Sequence, residues 1–197
     1  MRTRSNTPWK QPGAAVAMLL LCACQKESIE FTISEGGHDG SPKSVVAMET
    51  DTSFDRQLSF DAYFHGDARY TSVDPVNQYD WNKLMGLTSS DHQYNSIRLG
   101  WRYNPDEDAI DLGYYGYLNG VRQMHELATV PFERWVPVTL QFSTTGTTAT
   151  ADGVSASESG VVDTTAGGAT FIMQTAYFGG DEVAPHDIHI DVRNISE

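Results

Sequence analysis

The chain has 197 residues, of which 13 are Lys or Arg and 26 are Asp or Glu, giving a formal net charge of −13. This acidity excludes nucleic acid as a partner, because such binding depends on clustered basic residues. The two cysteines are Cys22 and Cys24, so the region after them contains no disulfide. A domain of about 150 residues buries roughly 70% of its unfolded surface and can fold on its core alone.

The N-terminal segment has the three parts of an export signal. Positive charge comes from three basic residues before position 11, an apolar stretch covers 13–21, and small Ala23 follows. The apolar stretch is shorter than the roughly 20 residues that a membrane-spanning helix needs. The sequence therefore predicts a removable signal peptide. An ordinary secretory signal cut nearby is the alternative to lipid attachment.

The four residues Leu21-Cys22-Ala23-Cys24 resemble the lipobox of bacterial lipoproteins. The resemblance implies that residues 1–23 are a lipoprotein signal peptide and that Cys24 is acylated, for example with palmitate, and holds the protein in a membrane of the cell envelope. Gln25 in place of Asp implies transport to the outer membrane. A chain that begins at Cys24 keeps ten basic residues against 26 acids, a net charge of −16.

The segment after Cys24 has few apolar residues that could pack into a core. A β-like piece covers 29–33, and residues 34–42 are rich in Gly, Ser and Pro. Such a composition favours a flexible connection. The predicted organisation is a signal peptide at 1–23, a lipidated N-terminus and flexible linker at 24–44, and one domain at 45–197.

Alternation of apolar and polar residues, the pattern of strands with one buried face, dominates this domain. Leu58, Phe60 and Phe64, for example, share one side of a predicted strand. Asn119-Gly120 predicts a type I′ hairpin turn, because both residues accept positive φ. The predicted strands are 58–65, 96–103, 110–118, 121–127, 136–142, 147–151, 169–178 and 188–195, with 81–87 as either helix or strand. They indicate an all-β, two-sheet antiparallel sandwich.

Three segments resemble uncharacterised bacterial surface lipoproteins that carry a concanavalin A-like or laminin-G-like jelly roll. They are Asn95 to Arg102, Tyr114 to Gly120, and Tyr177 to Gly180 continuing to Ala184 to Ile188. The similarity spans about 54–195 and implies a concanavalin A-like jelly roll. That architecture includes lectins, carbohydrate-binding modules, glycan hydrolases and lyases, so it favours glycan contact without choosing among them.

The best binding candidates are aromatic and basic side chains on one predicted sheet face. Tyr115 and Tyr117 project together, and sugar rings stack on such platforms. Arg98 and Arg102 share a face and can bind a carboxylate or sulfate in a bidentate manner. The alternatives are tyrosines packed inside the fold and a cross-strand ion pair between Arg102 and Asp111.

The evidence for a metal site is weak, and no cofactor is predicted. Asp106 and Asp108 alternate with Asn104 as in a calcium loop, but no glycine follows and no bidentate acid is in register, so an acidic turn is favoured. His186 and His189 are predicted to lie on opposite faces of a strand, which argues against zinc.

No residues are assigned to catalysis. Residues 106–111 superficially match the paired acids of concanavalin-like glycan hydrolases, but they follow Asn-Pro as a turn does. The Arg-x-Glu and Gln-x-His motifs of one alginate-lyase family are absent, and Gly179-Gly180 stands where that family's third motif has Lys-Ala. No Gly-x-Ser-x-Gly elbow is present.

The sequence thus favours a membrane-anchored surface lipoprotein whose sandwich binds glycan or another extracellular ligand without catalysis. The alternatives are a glycan hydrolase or lyase on the same fold and a purely structural envelope lipoprotein. Enzymatic activity is the less favoured interpretation.

Overall fold

The computed structural model describes residues 27–47, 55–89, 91–162 and 171–197. These contain strands and two short 3₁₀ turns, at Gly66–Ala68 and Pro75–Tyr79. The strands are β1 (Ser28–Ile33), β2 (Gly40–Ser41), β3 (Ser44–Ala47), β4 (Arg56–Phe64), β5 (Asn82–Thr88), β6 (Ser96–Asn104), β7 (Ala109–Leu118), β8 (Val121–Val130), β9 (Trp135–Ser143), β10 (Gly146–Ala151), β11 (Val154–Ser159), β12 (Phe171–Gln174) and β13 (Ile188–Ser196).

The strands form two antiparallel sheets that face each other. Sheet A has the order β11-β10-β9-β4-β13-β1-β2, and sheet B has the order β3-β12-β5-β6-β7-β8. The predicted all-β, two-sheet antiparallel sandwich is therefore confirmed. Residues 82–88, left open between helix and strand by the sequence, form strand β5.

The core lies between the sheets and follows from the alternation along each strand. In β4, Leu58, Phe60, Ala62 and Phe64 are buried, and the residues that alternate with them are partly exposed. Phe64 of sheet A meets the fully buried Trp101 of sheet B, with ring centroids 5.6 Å apart. Each such side chain contributes about 1.5–3 kcal/mol by leaving water, so one face of each sheet is committed to the core and the other is free for binding.

The hairpin between β7 and β8 has the predicted turn. Asn119 and Gly120 have φ values of 51° and 79°, which is the positive pair that a type I′ turn requires. Leu118 pairs with Val121 directly across the turn. This turn fixes the register of β7 and β8, and with it the face on which each β7 side chain lies.

The predicted flexible linker is wrong for residues 28–42. Strand β1 pairs with β13 over six positions, and its Phe31 and Ile33 are fully buried. Gly40 donates from its backbone to Ala176 O at 2.8 Å, and an added Cβ there would lie 2.9 Å from the Ala176 Cβ. The glycines that suggested flexibility instead allow close backbone approach in a packed turn. The described part of this segment belongs to the sandwich.

The predicted signal peptide at 1–23 and the lipidation site at Cys24 lie outside the described residues. Among the residues that are described, no helix is long and apolar enough to cross a membrane. Lipid attachment and envelope location remain predictions.

Candidate active site

The outer face of sheet B carries a cavity of about 310 Å³. Its lining combines cationic and phenolic side chains from strands β5, β6 and β7 and from adjoining segments. The members used below are Lys83, His92, Arg98, Tyr115, Tyr117 and Tyr177. We call this group the groove.

Strands β6 and β7 supply the centre of the groove. Their register pairs Arg98 with Tyr115 and Ser96 with Tyr117. Because side chains two residues apart share a face, these four side chains form one patch. The structure thus brings together three of the four predicted binding residues, namely Arg98, Tyr115 and Tyr117.

Lys83 enters the groove from β5. Its Nζ lies 4.9 Å from the ring centroid of Tyr115 and 4.8 Å from that of Tyr177. Burial, together with the nearby charges of Arg98 and Arg122, lowers the pKa of Lys83 to about 8. The amine therefore loses its proton near pH 8, far below an ordinary lysine.

Tyr177 is held against Lys83 by the backbone. Tyr177 N donates to Lys83 O at 2.8 Å, and Lys83 N donates to Tyr177 O at 2.9 Å. The His38 ring stacks on Tyr177 at a centroid distance of 5.5 Å. The buried Asn82 accepts a hydrogen bond from Gly179 N at 2.6 Å and fixes the turn that follows. Tyr177 is therefore a rigid side of the groove.

Arg98 is the central cation. Its pKa is lowered by burial, and the phenols of Tyr115, Tyr117 and Tyr177 oppose that effect. Its Nη2 lies 3.1 Å from Met173 Sδ. Within the described part of the chain, neither Arg98 nor Lys83 forms an ion pair with a carboxylate. A partly buried guanidinium without an acidic partner favours an anionic ligand.

Tyr115 and Tyr117 lie side by side, with ring centroids 6.1 Å apart. Tyr115 is 7% exposed. Burial raises the pKa of the Tyr115 phenol, followed by the effect of Tyr117, while Arg122 on β8 opposes the rise. Tyr115 therefore keeps its proton at a pH where Lys83 has lost its own.

The fourth predicted binding residue, Arg102, lies apart from the groove. Its Nε is 3.2 Å from Asp111 Oδ2 and its Nη2 is 2.6 Å from Glu126 Oε1. Its guanidinium also stacks on Trp81, 4.3 Å from the ring centroid. The cross-strand ion pair with Asp111, which was the alternative for this residue, is the one observed.

The two calcium candidates lie at the tip of the β6–β7 hairpin. Asp108 binds Arg69 through contacts of 2.7 and 3.1 Å, which lowers the pKa of its carboxyl, and Asp106 accepts a hydrogen bond from Tyr79 at 2.9 Å. Both carboxylates are thus used in protein contacts. The expectation that Asp106 and Asp108 form an acidic turn, with calcium binding as the weaker alternative, stays a prediction.

Among the described residues, the acids and histidines close enough together to hold a metal ion are Glu30, His65 and Asp191. They lie on or beside β1, β4 and β13 of sheet A. That position is on the other sheet from the groove. This cluster therefore contributes no side chain to the groove.

Sequence reasoning missed Lys83, His92, Tyr177 and Arg122. In the sequence, Tyr177 was noted only as part of one of the three segments that resemble jelly-roll lipoproteins. Lys83 precedes an irregularity in the pairing of β5 with β6, so the alternation through β5 does not continue evenly. The signal that was available is the flanking pair of apolar or buried positions around Lys83, namely Asn82 and Leu84.

Comparison with solved structures identifies the fold. An alginate lyase from a Chlorella virus matches with a TM-score of 0.57 and 10% identity, over 86% of this chain and 84% of that one. An alginate lyase from Alteromonas matches with a TM-score of 0.52 and 11% identity, over 86% of both chains. A Bacteroides ovatus mixed-linkage glucan GH16 structure with bound product matches with a TM-score of 0.51 and 10% identity, over 87% of this chain and 82% of that one.

No protein-family model matches the sequence, and no curated protein matches it. The structural likeness shows the fold, which is the concanavalin A-like jelly roll shared by alginate lyases and GH16 proteins. The predicted jelly-roll class is thus confirmed. The resemblance to lipoproteins is confirmed only as far as this jelly-roll domain.

The expectation that disfavoured enzymatic activity is corrected by these neighbours. They are glycan-active proteins, several of them lyases. That expectation rested on the absence of known catalytic sequence motifs. At about 10% identity, the absence of a motif does not show which fold or which groove a chain has.

Proposed function

We propose that this protein is a polysaccharide lyase that cleaves a uronate-containing polysaccharide by β-elimination. The observation that carries the proposal is the pairing, in one groove, of cations that lack a carboxylate partner among the described residues with the Tyr115 phenol, whose pKa is raised by burial. The groove is cationic on a chain whose net charge is −13. Such a local reversal of sign favours an anionic substrate over a neutral one.

Recognition of the substrate begins with the uronate carboxylate. Arg98 is partly buried, central and without an ion pair to a carboxylate among the described residues, so it is placed to bind that carboxylate. Neutralising the carboxylate makes the neighbouring C5 proton more acidic, since the charge that develops after proton loss is spread onto the same group. This stabilises the transition state electrostatically.

Proton transfer follows from the two opposite pKa shifts. Lys83, with a pKa near 8, acts as the base that removes the C5 proton. Tyr115, whose pKa is raised, acts as the acid that donates a proton to the leaving oxygen. The Lys83 Nζ lies 4.9 Å from the Tyr115 ring, so both groups reach one sugar residue.

The reaction balances without a co-reactant. The C5–H bond breaks and its proton goes to the Lys83 amine, while its electron pair forms the C4=C5 double bond. The C4–O4 bond breaks, and O4 takes the proton of Tyr115. Proton exchange between Lys83, Tyr115 and solvent restores both groups. The products are a fragment with a new reducing end and a fragment with an unsaturated non-reducing end.

Hydrolysis is the less favourable use of the same groove. A retaining glycosidase needs two carboxyl groups about 5–5.5 Å apart. Among the described lining residues the one carboxylate is Asp39, and it is paired with Lys43 at 2.9 Å. The structural neighbours that are alginate lyases support elimination, because alginate is a polymer of uronates.

The test is cleavage of matched polymers by the purified protein. Alginate, polygalacturonate and hyaluronan are each supplied intact and after chemical reduction of their carboxyl groups. We expect ultraviolet absorbance from new unsaturated ends with at least one intact polymer, and none with its reduced form. Failure to cleave every intact polymer, or equal cleavage of a reduced one, would contradict the proposal.

We also propose that the enzyme is held in the cell envelope through lipid on Cys24. The lipobox-like residues Leu21 to Cys24 support this. Expressed in a bacterium, the wild-type chain should enter the detergent phase on phase separation, and Cys24→Ala should stay in the aqueous phase. A Cys22→Ala chain is the matched control and should behave as wild type. Equal partitioning of the Cys24 variant would contradict the anchor.

A further inference from the structure

The outer face of sheet A brings together one histidine and two acids from three neighbouring strands. Glu30 of β1 is the direct cross-strand partner of Asp191 of β13, and Asp191 in turn pairs with Tyr63 of β4. His65 follows β4 two residues after Tyr63 and has an extended backbone, so it lies on the same face as that tyrosine. The residues that alternate with these along the strands are the ones buried in the core.

The spacing of the three side chains fits a metal ion. Their ligand atoms all lie within 4.8 Å of one another. His65 Nε2 is 3.3 Å from Asp191 Oδ2, yet this nitrogen is buried and makes no hydrogen bond to any described residue. Two atoms bound to one tetrahedral zinc ion at about 2.0–2.2 Å are about 3.3–3.6 Å apart. The separation therefore matches two corners of zinc coordination, and a bound ion would satisfy the buried nitrogen.

The imidazole of His65 is held in place by its neighbours. The Tyr63 ring meets it at a centroid distance of 4.9 Å, and the His189 ring does so at 6.3 Å. His189 is bound by Asp67, which contacts its backbone N at 3.0 Å and its Nδ1 at 2.7 Å. His65 is thus packed on two sides, whereas Glu30 is exposed. An ion needs to draw in this one flexible ligand, which keeps the ordering cost of binding small.

The donor set selects the kind of ion. One imidazole nitrogen with two carboxylate oxygens suits zinc, which is held by three protein ligands when a fourth position is left to water. Calcium takes about six to eight oxygen ligands, and magnesium also prefers oxygen. We propose that Glu30, His65 and Asp191 bind one Zn²⁺ ion, which ties β1 to β13 and β4. The ion lies on the other sheet from the groove, so it takes no part in the proposed elimination.

The first test is titration calorimetry with Zn²⁺ on metal-free, full-length protein. Thiols also bind zinc, so every chain carries Cys22→Ala and Cys24→Ala. We expect one Zn²⁺ ion per chain. Loss of an outer-shell partner typically weakens metal binding by about 10–100-fold, so loss of a ligand should raise the Kd by at least as much. The ligand variants are Glu30→Gln, His65→Gln and Asp191→Asn.

The matched control is His125→Gln. His125 on β8 contacts the acid Glu158, so this variant also removes a histidine that lies beside a carboxylate. It should bind Zn²⁺ with the Kd of the parent chain.

The second test is thermal unfolding, because an ion that binds only the folded chain raises its Tm. At about 100-fold excess of Zn²⁺ over its Kd, the parent chain should gain about 5–10 °C. Glu30→Gln should gain much less. Since Glu30 is exposed, this variant decides the matter if His65→Gln or Asp191→Asn fails to fold.

The outcomes are distinct from those of the lyase assays, which concern the other sheet. Loss of zinc binding in the ligand variants, with binding retained in His125→Gln, supports the site. No zinc binding by the parent chain, or an equal Kd in Glu30→Gln and in the control, would overturn it. Tighter binding of Ca²⁺ than of Zn²⁺ would overturn it as well, because the imidazole ligand would then have no role.

Discussion

Arg98 and Tyr115 are direct cross-strand partners on the outer face of sheet B. The pairing places a guanidinium without an acidic partner, within the described chain, beside a phenol whose pKa is raised by burial. A carboxylate bound by Arg98 therefore brings its sugar within reach of Tyr115. This relationship is the basis of the proposed elimination.

Replacing the central cation should abolish most activity. Arg98→Gln removes the charge that neutralises the uronate carboxylate, and we expect kcat/KM on the cleaved polymer to fall by about 10²-fold or more. Arg134→Gln is the matched control, because Arg134 forms a surface ion pair with Asp152 at 2.7 Å. Equal, small losses in both variants would show that Arg98 does not bind the substrate.

The rate should depend on pH through Lys83. The amine acts as a base only when neutral, so log kcat should rise with pH and level off above about 8, the pKa of Lys83. Lys83→Met should lose this rise together with about 10²–10⁴-fold in rate. Lys83→Arg should not restore activity, because a guanidinium keeps its proton. A wild-type profile that stays flat between about pH 6 and 9 would contradict the assignment.

The loss of activity on removing the Tyr115 hydroxyl should depend on whether the leaving group needs a proton to depart. Tyr115→Phe removes the proton donor, and we expect a loss of about 10²–10⁴-fold on polymer. A synthetic uronate with a nitrophenolate leaving group at C4 needs no proton donor, so the same variant should lose much less on it. Tyr103→Phe, whose hydroxyl binds Asp108 outside the groove, is the control. Equal losses on both substrates would argue for a merely structural Tyr115.

The N-terminal strand should contribute to stability. Phe31 is fully buried in β1, which pairs with β13, so Phe31→Ala should lower the free energy of unfolding by about 3–5 kcal/mol. Ser28→Ala, at an exposed position of the same strand, should change it little. Denaturant unfolding measures both. An unchanged free energy of unfolding in Phe31→Ala would contradict this prediction and support the flexible linker that the sequence suggested.

Much of the fold was predictable because alternation is local. The β4 and β7 patterns and the Asn119-Gly120 turn report directly which residues face the core. The linker was misread because Gly and Pro are also used in packed turns. Near Gly40, the close approach of Ala176 from a distant part of the chain decides between the two uses.

The site was only partly predictable because its assembly depends on distant strands. Arg98 and Tyr115 were visible from two neighbouring strands. Tyr177 reaches Lys83 through backbone bonds between residues far apart in sequence, which alternation does not report. Arg102 shares a face with Arg98. The indole of Trp81, the residue before β5, lies over Gly100 between the two arginines and stacks on Arg102, which therefore does not line the groove.

The most direct test of the proposed function is the mass of the products formed from an intact uronate polymer. β-Elimination predicts that each cut leaves one fragment with a C4=C5 double bond at its non-reducing end, and this fragment is lighter by one water than the corresponding saturated oligosaccharide. Arg98→Gln should form such fragments far more slowly. Products that are all saturated, with no unsaturated fragment among them, would show hydrolysis and contradict the lyase assignment, and an intact polymer would contradict catalysis altogether.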